Sequence, residues 1–163
     1  MKATLPTIES MKLVAEKDRI DFLPKMLQNR PSLIMLFESI VFKNAHQLCK
    51  EYDGGSWEFV ELENGAFFIY PDFDGVKQCS CDTNLAEGQL DARVLGIICT
   101  MVSLNHLVWM LHEKDLKSAQ IANRLYFQLQ DWVYCDETGN AIRAVSDDTT
   151  ASNFTKAVYR FLD

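Results

Sequence analysis

The sequence predicts an α+β fold: a small antiparallel sheet of about three to four strands, arranged as a hairpin or meander, packed against several helices. Three observations carry this. A β-hairpin is spelled out over residues 56–71, a nearly continuous apolar segment occupies 86–113, and amphipathic helical periodicity flanks both. The 163 residues, 48% apolar and 24% charged, fit one compact domain, 1–163, with enough core to fold unaided.

Met11 and Leu13 alternate with Lys12 and Val14, which predicts a short strand within 9–15. Residues 16–29 read as a helix capped near Asp18, with Pro24 in its first turn or breaking it. Pro31 opens a helix to about residue 50, whose apolar positions from Leu33 to Cys49 recur at three- and four-residue steps. Asp53-Gly54-Gly55 is expected to close it, the glycines permitting a left-handed turn. Trp57, Phe59 and Glu61 then alternate with Glu58, Val60 and Leu62. Asn64-Gly65 suits a two-residue type I′ turn, and the return strand ends at Pro71, which lacks a ladder donor. A third strand is expected at 75–80, after Asp72-Phe-Asp-Gly75. The 86–113 segment is apolar nearly all round and reads as one long helix buried on several sides, with Gly96 in its interior calling for a close neighbour. An amphipathic helix at 115–134, a turn at 136–139, a short helix at 140–147 and a last helix at 152–162 capped by Ser152 complete the chain.

The net charge of −7 is spread along the chain with no basic arm, which argues against direct DNA binding. No window holds about 18 uninterrupted apolar residues, so no membrane partner is expected. The first residues lack a signal-peptide core, and the expected compartment is the cytoplasm. Five cysteines without framework spacing suit reduced thiols. Cys79-Ser-Cys81 is too narrow a pair for a structural zinc site, and neither metal nor cofactor is expected.

The block Tyr52-Asp-Gly-Gly-Ser-Trp-Glu-Phe-Val-Glu-Leu62, followed by Asn64-Gly65, Phe67 and Pro71, is similar to the antirestriction protein family of the ArdB/KlcA type. Arg19-Ile-Asp-Phe-Leu-Pro24, Asn84, Ala92, Gly96, Leu129-Gln-Asp-Trp132, Ile142 and Asp147 extend the resemblance in order. The chain departs from the family pattern at Ala66, where a second glycine is usual, at Phe68, where Tyr is common, and at Tyr134-Cys-Asp-Glu137, which lacks a histidine. The resemblance implies a compact α+β protein, carried on mobile elements, that relieves type I restriction of incoming DNA. Its expected partner is the type I restriction-modification complex, met directly or indirectly.

Seven carboxylates lie between Glu51 and Asp74, with no Lys or Arg among them. Duplex DNA presents a phosphate charge about every 1.7 Å of axis, so seven groups on one hairpin fall short of mimicry. They suit steering toward a basic protein, or a solvated sheet face with charged edges. The candidate partner-binding residues are Tyr52, Asp53, Gly54, Gly55, Trp57, Glu58, Glu61, Asn64, Gly65, Phe68 and Tyr70. Phe68 and Tyr70 would face outward if Phe67 and Ile69 are buried. Gly54-Gly55 follows a helix and enters a strand, the wrong context for a phosphate cradle.

The alternative is a small hydrolase or nucleic-acid-processing enzyme using His46, His106 or Cys49. His46 and Cys49 are three apart on one expected helix face, but no third group orients them. His106 reads as a satisfied core histidine, and His112 as a helix-end residue. A non-enzymatic binding protein is the preferred reading.

Overall fold

A computed structural model describes residues 2–6, 8, 10–136, 138–142, 145 and 151–163. Five helices surround and include one central helix, and six strands form two separate three-stranded sheets among the described residues. The fold class is the α+β one expected, with the strands divided differently.

The first sheet contains the hairpin. β2 (Met11–Leu13), β3 (Trp57–Leu62) and β4 (Phe67–Pro71) are antiparallel, with Leu13 opposite Val60 and Val60 opposite Phe68. The turn is not the two-residue type expected. Leu62 accepts from the Gly65 N–H at 3.0 Å and donates to the Ala66 carbonyl at 2.9 Å. Gly65 has φ 86°, while Asn64 is not at positive φ. This is a three-residue loop with its left-handed residue last. Ala66 is fully buried.

The chain leaves that sheet at Pro71. β5 (Val76–Ser80) does not extend the hairpin; it pairs antiparallel with β6 (Glu87–Asp91), which pairs in parallel with β1 (Lys2–Ala3). Residues 87–91 were expected to begin the long helix. They alternate instead, with Gly88 and Leu90 buried and Glu87 and Gln89 exposed. Asp91 stops any earlier start, because its Oδ1 accepts from the Val94 N–H at 2.8 Å as the N-cap. Its Oδ2 accepts from the Leu5 N–H at 2.8 Å, tying the N-terminal segment to the same corner.

α3 (Ala92–Leu111) is the centre of the molecule. It is long and apolar enough to cross a membrane by length and composition, yet α2 (Pro31–Leu48), α4 (Leu116–Val133), α5 (Asn153–Leu162), β4 and β6 all pack on it. Val94, Leu95, Ile97, Ile98, Cys99, Met101, Leu104 and Leu107 have no exposed surface. Each such side chain contributes about 1.5–3 kcal/mol of transfer free energy.

β4 crosses α3 at Gly96. A Cβ there would lie 2.3 Å from the Ile69 carbonyl oxygen and 2.3 Å from the Tyr70 Cβ, so only hydrogen fits. One turn on, Thr100 Oγ1 accepts from the Ile69 N–H at 3.2 Å. β4 is an edge strand, and α3 covers that edge.

α1 (Arg19–Met26), entered through a short 3-10 turn at Glu16–Asp18, carries Pro24 inside it. α2 ends at Leu48, and Cys49 is already extended, so the helix closes five residues before Gly54 rather than on the glycines. Ser152 caps α5 as expected, accepting from the Thr155 N–H at 3.2 Å. The short helix expected over 140–147 lies partly outside the described residues; within them, Ala141 bridges Cys135 in antiparallel fashion. Asp147 lies outside them altogether.

Candidate functional site

The Tyr52–Trp57 turn is held down by its own aromatics. Trp57 Nε1 donates to Tyr52 Oη at 2.8 Å, and the rings meet edge-to-face at 6.0 Å. Trp57 also packs on Phe42 at 5.2 Å, and Tyr52 on His46 at 4.7 Å, both from α2. Tyr52 and Trp57 are buried. They anchor the loop, while Asp53, Gly55 and Ser56 are its exposed part. Gly54 and Gly55 have φ of 99° and 112°, with open space where a Cβ would go, so backbone conformation and not crowding selects glycine.

The Ser56 carbonyl accepts from the Asp72 N–H at 2.9 Å, which sets the 53–56 loop beside the 72–75 loop. Exposed Asp53, Asp72 and Asp74 therefore occur along one edge, with exposed Glu51 at its start. Lys77 is a cation of this edge; its Nζ sits 5.1 Å over the Phe73 ring.

Glu58 and Glu61 are different. Arg19 of α1 pairs with Glu58, and Lys25 with Glu61 at 2.8 Å. Phe22 lies between those cations in sequence and stacks on Phe59 at 5.6 Å and edge-on to Phe67 at 5.7 Å. α1 is thus a clamp on the hairpin, and two of the seven carboxylates between Glu51 and Asp74 are paired with its cations, Glu58 at a partly buried contact and Glu61 at an exposed one. Sequence reading missed this because both cations lie more than thirty residues upstream.

Asn64 and Gly65 lie at the far end of the hairpin, and Asn64 is fastened there. Its Nδ2 donates to the Gln128 carbonyl of α4 at 2.8 Å, and its Oδ1 accepts from the Ala66 N–H at 3.1 Å. Phe68 is not outward as parity suggested. It is fully buried, 6.2 Å from the Trp132 ring, because helices cover both faces of β4 at that point. Tyr70 is half-buried; burial first and then the Glu58 carboxylate hold its phenol above the usual range.

The residues of the enzymatic alternative do not converge. His46 is exposed against Tyr52, whereas Cys49 leaves the helix and is fully buried. Cys49 lies next to Cys79, and burial followed by that thiol neighbour pushes Cys79 well up. His106 is exposed rather than a core residue. His112 Nδ1 meets the Trp109 carbonyl at 2.8 Å at the helix end. Among the described residues, no three His, Cys, Asp or Glu side chains are grouped to hold a metal ion.

These features define a small α+β protein that presents a pair of acidic loops along one edge. A family model described as "Antirestriction protein" matches residues 50–147. The chain belongs to the antirestriction protein family. It is 40% identical over 96 residues to an antirestriction protein KlcA of Escherichia coli, an alignment covering 58% of this chain and 64% of that protein. The chain thus spans just under two thirds of that relative. A second Escherichia coli KlcA is 34% identical over 115 residues, covering 71% of this chain and 79% of that protein. Putative antirestriction protein YubI of Escherichia coli K12 is 30% identical over 135 residues, 82% of this chain and 93% of that one. A solved structure from work on KlcA and ArdB superposes with a TM-score of 0.74 at 28% identity, over 98% of this chain and 100% of the other. Those proteins are described as having a novel fold and antirestriction activity against type I DNA restriction systems in vivo but not in vitro.

Proposed function

We propose that this protein relieves type I restriction of incoming DNA in the cytoplasm, as a binding protein that acts without turnover. The observation that carries this is the match to the KlcA and ArdB fold over nearly the whole chain, joined to the family match across the hairpin and central helix. Its relatives act in vivo but not in vitro. The same division here means that the contact is made with a component or state of the restriction machinery that purified enzyme lacks.

The edge formed by Asp53, Asp72 and Asp74 is the surface we assign to that contact, meeting a basic face of a protein partner. Glu58 and Glu61, already paired with Arg19 and Lys25, hold the hairpin instead.

The test is plating of unmodified phage on a host with an active type I system. Expression of the chain should raise plating toward that of modified phage. Unchanged plating at normal levels of soluble protein would contradict the proposal. Purified chain added to purified restriction enzyme should leave cleavage unaltered.

A further inference from the structure

The connection between β5 and β6 carries a leucine where neither the backbone nor the solvent favours one. Leu85 is 86% exposed, more than any other large apolar side chain among the described residues, and its φ is 60°. Left-handed backbone is costly for a residue with a bulky side chain, and glycine or asparagine would relax it. The turn is nevertheless held firmly. The Leu85 N–H donates to the Cys81 carbonyl at 2.9 Å, and the Ala86 N–H donates to Asn84 Oδ1 at 3.0 Å. Asn84 Nδ2 donates in turn to the Arg160 carbonyl at 3.0 Å, which moors the loop to α5. Leu85 is therefore a knob whose backbone is already fixed, so gripping it costs little further ordering.

A hole of matching character adjoins the knob. Residues 80–84 form one wall of a cleft of about 510 Å³, and Leu48, Val102, Tyr126, Phe161 and Leu162 give it apolar lining. Lys50, just past the end of α2, also lines it. Exposed Asp82 and Glu87 flank Leu85 in sequence. None of Lys50, Asp82 and Glu87 is in an ion pair among the described residues. An apolar knob flanked by acids thus stands beside an apolar hole with a free cation. Shape and charge both make this patch complementary to itself, which is what a two-fold interface requires.

We propose that two copies of this chain pair about a two-fold axis at this patch, each placing Leu85 in the other's cleft and Asp82 beside the other's Lys50. A second copy is the occupant because knob and hole, acid and base, all occur on one surface; a foreign partner would call for only one of each. The contact takes no residue from the acidic loops at 53–56 and 72–75.

Sedimentation velocity of the full chain at about 100 μM tests this. The mass should approach twice the 18.7 kDa of one chain. Leu85→Gly relaxes the backbone and removes the knob, so it should keep or raise the thermal midpoint while weakening association by about tenfold or more. Lys50→Glu should weaken it by about tenfold, and adding Asp82→Lys to that variant should restore it. A monomeric parent, a Leu85→Gly chain that pairs as tightly as the parent, or a charge exchange without recovery would each overturn the proposal.

Discussion

Replacing Gly96 with alanine tests how the hairpin is seated on the central helix. Alanine in a helix interior is favoured over glycine by about 1 kcal/mol, so an unobstructed site would be stabilised. This one is obstructed. The new methyl would stand 2.3 Å from the Ile69 carbonyl oxygen and 2.3 Å from the Tyr70 Cβ, against an ordinary separation of about 3.5–4 Å. Neither atom is the end of a flexible side chain, so β4 must lift off α3 by roughly 1 Å. Overpacking of this kind costs about 1–3 kcal/mol, and lifting β4 also strains the 3.2 Å Ile69–Thr100 hydrogen bond, worth about 1 kcal/mol. Against the propensity gain, the net loss is about 1–3 kcal/mol. Urea unfolding followed by circular dichroism measures it. A Gly96→Ala protein as stable as the parent, or more so, would refute the close-approach reasoning.

Three other outcomes follow from the same contacts. Arg19→Ala should destabilise by about 1–3 kcal/mol, because it strands a largely buried Glu58, whereas Lys25→Ala at the exposed Glu61 pair should cost under about 1 kcal/mol; equal losses in urea melts would contradict the clamp. Asp115 caps α4, and bonds from the Ser118 hydroxyl, the Ser118 amide and Arg30 lower its carboxyl to about 2. Its folded value lies below the unfolded one, so its stabilisation is present above about pH 4 and is lost as pH falls toward 2; acid titration of Asp115→Asn should show a shallower decline, and an unchanged curve would count against the cap. Trp57→Phe removes the donor to Tyr52 Oη and should cost about 1 kcal/mol while leaving the hairpin paired, as amide exchange of 57–71 would report.

Local signals in the chain were strong where one element decides its own structure. The hairpin strands, the helices at 31–48 and 116–133 and the Ser152 cap follow from periodicity and end residues. The pairing of strands was not legible, because residues 76–80 look the same whether they join the hairpin or residues 87–91. Gly88 and Leu90 alternate over too few positions to stand out beside the apolar run that begins at Ala92. Asp91 was the missed stop sign, a capping residue hidden by that run.

The candidate site was legible as a motif but not as a surface. The parity of β4 put Phe68 outside only on the assumption that one face of the sheet is bare, and helices lie on both. The acidic hairpin looked unpaired because its cations come from α1. Tyr52 and Trp57, which give the motif its specificity, turn inward to hold a loop whose exposed carboxylate is Asp53.

The central claim is that the paired loops at 53–56 and 72–75 meet a basic partner in the cell. Its most direct measurement is plating of unmodified phage on a type I restricting host expressing the Asp53→Asn, Asp72→Asn, Asp74→Asn triple variant at parental levels. All three residues are exposed, so the fold should be kept. Protection should drop toward that of a host without the protein, while Glu58→Gln, in a folded protein, should retain it. Full protection from the triple variant would contradict the account.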